Sequence, residues 1–208
     1  HFLGLALGQR SVSFNPKPLD PTIEPDSEEA EKPDPVVKDG FLLSNVFNRI
    51  IRTCFYTTQK YLGGVMPVGD IDEQVLADAK KAILDYERFM YRFEFHNIIN
   101  ILDTYIRQAN KYWVRNITEA DKSDNAELRK QTLIDAFHMV KVALVLSHPI
   151  VPGGCEKARE YLNFDESFWS WDHIFDDIYS LCSDKENHEI KELQAKEDFF
   201  EKHPSQFK

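Results

Sequence analysis

The stretch SNVFNRIIRTCFY, Ser44 to Tyr56, decides the fold class. In and beside it Leu43, Val46, Phe47, Ile50, Ile51, Cys54 and Phe55 recur at i, i+3, i+4, i+7, i+8, i+11 and i+12, the apolar stripe of one helix face. The pattern predicts a helix from about Phe41 to Leu62, stopped by Gly63 and Gly64, with Pro67 just beyond. At roughly 100° per residue, Asn45, Arg49, Arg52, Tyr56 and Lys60 fall together opposite the stripe, with Asn48 at the border. No acid occurs between Phe41 and Pro67, although the chain carries 35 acidic residues and a formal charge of -10.

The same periodicity continues downstream. A second helix is expected from Ile71 to about Arg88, opened by Asp70 and Asp72 near its positive end. A third, from about Phe93 to Val114, aligns Phe95, Ile98, Ile99, Leu102, Ile106, Ala109 and Trp113 on one stripe. Between Asp124 and His148 the apolar positions are dense enough to predict the most buried helix, ended by Pro149. Shorter helices are expected from about Gly153 to Leu162 and from Trp171 to Cys182. No alternating strand or hairpin signal is present, so the fold class is all-α, an antiparallel helical bundle.

The 208 residues suffice for one domain plus extensions. Residues 1–40 divide into an apolar start, HFLGLALGQR, and a segment rich in proline and acid from about Asn15 to Asp39 with almost nothing to bury. The start lacks a charged leader region and begins abruptly, as a piece cut from a longer protein would. Residues 41–164 are the expected bundle, and 165–208 a C-terminal helix and polar tail. Cys54, Cys155 and Cys182 are odd in number and far apart, which points to a reducing, cytoplasmic setting. No run approaches the roughly 20 apolar residues of a membrane span.

The usual patterns for catalysis and metal binding are missing. There is no C-x-x-C or H-E-x-x-H pair; HEIKE at His188 to Glu192 has the wrong fifth residue. No phosphate-binding glycine loop occurs: GGVMP is a helix stop and PGGCE a helix start. His138 sits beside the apolar stripe of the fourth helix, as a core histidine would. No catalytic residue and no metal ligand is assigned.

A second acid-free window runs from Thr104 to Thr118 and holds Arg107, Lys111 and Arg115. Two such windows place basic ground on an acidic body whose net charge otherwise opposes phosphate binding. An ordinary solvated face explains them; so does a contact with unpaired RNA bases, whose edges suit asparagine and arginine and whose faces stack on tyrosine or guanidinium.

Several stretches carry a resemblance. SNVFNR resembles the Gly-Asn-x-x-Asn-Arg stretch that opens the anticodon-binding helical domain of methionyl-tRNA synthetases, class I aminoacyl-tRNA synthetases. KYLGGVMP (Lys60 to Pro67) is similar to the end of that first helix, and RQANKY (Arg107 to Tyr112) to the family's Ala-Asn-Lys/Arg-Tyr. LVLSHPIVPGGCEKAREYLN (Leu144 to Asn163) is similar to the family's Leu-x-Pro-x-x-Pro pattern, sharing its Pro-x-x-Pro at Pro149 and Pro152, and FWSWDHI (Phe168 to Ile174) to its following Trp-x-x-Ile. HFLGLAL is similar to the element that leaves the catalytic core.

The resemblance implies the all-helical anticodon-binding bundle. Its partners would be methionine tRNA, through the CAU anticodon, and an upstream catalytic domain that binds ATP and Mg, with no cofactor in this chain and no membrane. The family's cytosine-reading Asn and Arg map onto Asn45 and Arg49, or onto Asn48 and Arg52. The resemblance and the acid-free windows together give Asn45, Arg49, Arg52 and Tyr56 as anticodon-binding candidates, and Lys60, Arg107, Lys111 and Arg115 as tRNA-backbone candidates. Two departures stand out. Glu119 occupies the position of the family's base-stacking tryptophan, leaving Trp113 as the nearby aromatic, and the His-Ile-Gly-His and Lys-Met-Ser-Lys-Ser type signatures of ATP chemistry are absent. The alternative is a degenerate synthetase-like bundle used for protein interaction, which an exposed apolar patch would favour.

Overall fold

A computed structural model describes residues 40–201. The expectations for residues 1–39 lie outside the described residues. We number the α-helices α1 (Asn48–Leu62), α2 (Glu73–Tyr91), α3 (Phe95–Lys122), α4 (Ala126–Ser147) and α5 (Pro152–Tyr161). A π-helical turn, Leu42–Phe47, runs directly into α1. No strand forms among the described residues beyond one isolated antiparallel bridge, Val65 to Glu189.

Burial dictates the order of layers. Every position of α4 from Thr132 to Ser147 is buried, as an element apolar on all sides must be. Its neighbours α2 and α3 pack against it. Tyr112 Oη donates to Asp135 at 2.6 Å and Arg129 pairs with Asp121 at 3.2 Å, so α3 and α4 are antiparallel. A short turn joins the end of α2 at Tyr91 to the start of α3 at Phe95, and further along Asp78 on α2 accepts from Gln108 on α3, so that pair is antiparallel too. The first helix, α1, packs on α3 and α4. Arg49 near its start meets Asn110, and Tyr61 near its end lies under Arg129, which pairs with Asp121, so α1 runs parallel to α3. Ile50, Ile51, Cys54 and Phe55 are its buried stripe. Each large side chain there contributes about 1.5–3 kcal/mol of apolar transfer, an upper bound.

The polar residues of α4 fasten the periphery to it. Asp135 accepts from the backbone N–H of Asp72 (2.9 Å), which in turn caps α2 by accepting from Gln74 N (2.8 Å) and Val75 N (3.3 Å). Lys141, fully buried, donates to the carbonyls of His173 (2.7 Å), Ile174 (2.9 Å) and Asp176 (3.1 Å). His138 is 2 % exposed, and burial first, then the Lys141 charge, lowers its pKa to about 4. It is a core histidine.

Three boundaries differ from the sequence pattern. Helix α3 runs eight residues past Val114, because Ile117 and Ala120 continue the stripe of Trp113 through otherwise polar sequence. The expected helix from Trp171 to Cys182 is instead two short 3-10 turns, Trp171–His173 and Ile178–Leu181. Lys141 draws off the carbonyls that a continuous helix would use, and Asp177 caps the second turn by accepting from Ser180 N at 2.7 Å. The expected polar tail is largely a packed segment: Leu193, Phe199 and Phe200 are buried in the same core as α1 and α5.

That last segment, residues 184–201, here called the strap, crosses α1. It is tethered at the glycine stop of that helix, where Gly63 adopts the left-handed conformation (φ 62°). Ile190 N donates to Gly64 O (2.9 Å) and Met66 N to His188 O (2.9 Å). Its far end sinks two rings: Phe200 stacks on Phe47 (5.4 Å) and Phe199 meets Phe55 (5.7 Å) and Tyr161 (5.5 Å). A methyl group on Gly154 would run into the Phe200 ring, so the second glycine after Pro152 serves close approach.

Candidate nucleic-acid interface

The fold brings the two acid-free windows together. Arg49 is exposed on α1, and its Nη2 donates to Asn110 Oδ1 on α3 at 3.3 Å. Asn110 lies inside the second window, directly before Lys111. Asn45, half-buried in the π-turn, precedes Arg49 by four residues. The turn's i to i+5 bonding widens the helix where the Asn45 side chain leaves it, just before α1 begins, an irregularity that recurs at functional sites.

Asn48 and Arg52 stand elsewhere. Asn48 is 2 % exposed and its amide is spent in full. Nδ2 donates to Ser44 O (3.0 Å) and Phe200 O (2.7 Å), while Oδ1 accepts from Phe199 N and Phe200 N, both at 3.0 Å. It anchors the strap and has no capacity left for a base edge. Arg52 Nη1 pairs with Asp198 of the strap at 2.8 Å, and its guanidinium lies 5.8 Å from the Tyr56 ring centroid. Tyr56 Oη donates to Gln194 O at 3.1 Å. Of the four anticodon-binding candidates, half-buried Asn45 and exposed Arg49 stand four residues apart, while Arg52 and Tyr56 are engaged by the strap.

The backbone candidates also divide. Lys111 and Arg115 are exposed one turn apart on α3; Arg115 donates to Asn116 Oδ1 (3.1 Å) and approaches the Tyr112 ring (5.8 Å). Arg107 is bound by Asp103, Nε to both carboxylate oxygens at 2.8 and 2.9 Å, by an acid one residue outside the window. Lys60 lies at the other end of α1 with its ammonium 4.6 Å from the Tyr61 ring centroid, a ring that also lies beneath the Arg129 guanidinium at 4.2 Å. Tyr61 first, and Asp121 more weakly, raise the Lys60 pKa.

No aromatic platform accompanies Asn45 and Arg49 from the two positions considered in the sequence. Trp113 is 4 % exposed and belongs to the core. Glu119 is exposed in the last turns of α3. Among the described residues no group of three His, Cys, Asp or Glu side chains is placed to hold a metal. No described helix is long and apolar enough to cross a membrane. Exposed apolar side chains do gather at the α2–α3 turn, where Tyr91 is 84 % and Phe93 78 % exposed.

Two features escaped the sequence reading. Asn110 was visible only as part of a motif, with no sign that it would face Arg49. The strap's hold on α1 had no local signal, since Asn48 and Phe200 are 152 residues apart.

No family model matches the chain. It is 26 % identical over 119 residues to the methionine–tRNA ligase of Haloarcula marismortui, a match covering 57 % of this chain and 16 % of the relative. With the methionine–tRNA ligase of Fusobacterium nucleatum it shares 26 % identity over 160 residues, 72 % of this chain and 24 % of the relative. The chain thus spans a quarter or less of the length of these relatives. In fold it is similar to the apo methionyl-tRNA synthetase of Mycobacterium tuberculosis (TM-score 0.69, 17 % identity, 85 % of this chain and 35 % of that one). The methionyl-adenylate-bound form of that enzyme superposes equally well (TM-score 0.68, 17 % identity, 84 % and 34 %). In sequence and in fold the chain resembles the helical C-terminal region of methionyl-tRNA synthetases.

Proposed function

We propose that the chain is the tRNA-engaging helical part of a cytoplasmic methionine–tRNA ligase, and that Asn45 and Arg49 read the CAU anticodon of methionine tRNA. Charging with methionine, and the ATP and Mg it requires, would belong to a catalytic domain upstream. The observation that carries this reading is the Arg49–Asn110 contact, which joins both acid-free windows into one face with Asn45 at its edge. The similarity to methionine–tRNA ligases supports the aminoacylation context, and binding energy realised at the anticodon would serve reaction at the distant acceptor end.

The chemistry follows from the base edge. Cytosine presents an N4 amino donor where uracil presents an O4 acceptor. An amide oxygen accepts from the first and is left opposed to a second acceptor by the other. A guanidinium steadied by Asn110 adds donors beside it. Lys111 and Arg115 extend the face with phosphate contacts that carry no sequence information. The exposed aromatics at the α2–α3 turn are the feature that a protein-interaction role would use, but the ligase similarity favours RNA.

The test is a titration with methionine tRNA and with a transcript altered only from CAU to UAU, at two stated salt concentrations. Tighter binding of CAU by roughly 10-fold or more is expected from one discriminating contact. Equal affinity for the two transcripts would remove the base-reading role.

A further inference from the structure

The strap does more to α1 than fill a groove. It places one carboxylate, Asp198, on the single exposed-face cation nearest Arg49 in sequence, and one backbone carbonyl, Gln194 O, on the neighbouring tyrosine. Asp198 is held from several sides. Lys157 Nζ donates to its carbonyl oxygen at 2.8 Å and pairs with the preceding Glu197, while Phe199 and Phe200 are locked by the Asn48 amide immediately after it. Between Asp184 and Glu201 the segment carries seven acids against three lysines, so it presents RNA with the wrong sign. A free Arg52 would offer a phosphate contact one turn from Arg49 that adds affinity for every RNA alike.

We infer that the far end of the strap, Gln194–Phe200, is an electrostatic cover: it withdraws Arg52 and Tyr56 from RNA, lowers affinity for every RNA alike, and leaves Asn45 and Arg49 as the open part of this stretch of α1 and its π-turn. This inference rests on the proposed RNA-binding role of α1. It does not rest on anticodon preference, and the two fail separately.

The variant Asp198→Asn removes the charge that holds Arg52, leaving at most a neutral amide contact, while keeping the Asn48 and phenylalanine anchors in place. Its affinity for CAU tRNA, for the UAU transcript and for a single-stranded oligouridylate should each rise about 3-fold, and the salt slope should steepen by about 0.7, one added single-strand phosphate. Arg52→Ala in the otherwise unaltered chain should change none of these, and Asp198→Asn combined with Arg52→Ala should return to the starting affinities. Thermal denaturation of each variant reports that the strap remains docked. No gain in Asp198→Asn for any of the three RNAs, or a loss in Arg52→Ala comparable to that of Arg49→Ala, would overturn the inference. If the unaltered chain ignores the anticodon but Asp198→Asn still gains affinity for all RNAs, base reading fails and the strap's role stands. If no variant binds any RNA, both fall.

Discussion

Asn45 and Asn48 are the same side chain three positions apart on one polar helix face, yet the fold commits them to opposite uses. Asn48 makes four hydrogen bonds to backbone atoms and is buried beneath the strap. Asn45 stays half-buried, four residues before an arginine braced from α3. The same split separates Arg52, paired with Asp198, from Arg49, which meets a neutral amide. A polar residue opposite the apolar stripe is available to a ligand only if no distant segment has already satisfied it.

The largest expected effect breaks the comparison on the structural side. Asn48→Ala leaves the N–H groups of Phe199 and Phe200 and the Phe200 carbonyl without their partner, at a cost of about 3 kcal/mol in urea unfolding. Asn45→Ala should cost under about 0.5 kcal/mol. Similar costs for the two would mean that the strap is not anchored as described.

Nearly as large is the cost of acid on the core behind that face. The His138 pKa, near 4 in the fold against an ordinary 6.5, means that the unfolded chain takes up a proton the fold refuses between those values. Stability contributed by neutral His138 is therefore fully present above about pH 6.5 and falls through that window toward pH 4, by about 3 kcal/mol. His138→Gln should flatten the unfolding free energy between pH 7 and 4 relative to the unaltered chain; an identical slope would show that His138 titrates normally.

A smaller effect sharpens the functional side. In its proposed role as a phosphate contact without a base edge, Lys111 replaced by alanine should lower affinity for CAU and UAU transcripts together, by about 3-fold, with a salt slope shallower by about 0.7. A fall confined to CAU would move Lys111 into the base-reading group.

Much of this architecture was legible in sequence because it is local. The stripe of α1, the Gly63 stop, the Asp72 cap and the density of α4 are each written within a few residues. The register of the proposed reading pair was not: both Asn45–Arg49 and Asn48–Arg52 fit the motif and the helical wheel. A wheel assumes that the side opposite the core meets solvent, and Phe199 and Phe200 violate that assumption from the far end of the chain. The helix expected over Trp171 to Cys182 failed for a related reason, since its carbonyls are taken by Lys141 from α4. In each case a long-range polar contact overrode a correct local pattern.

The most direct test of the account compares the ratio of CAU to UAU affinities in the unaltered chain and in Arg49→Ala, at fixed salt. The account predicts a preference of about 10-fold or more that collapses toward unity in Arg49→Ala, since the lost contact belongs to the base and not to the backbone. A preference that survives Arg49→Ala undiminished, with both affinities lowered in parallel, would contradict it and reduce Arg49 to one more phosphate contact.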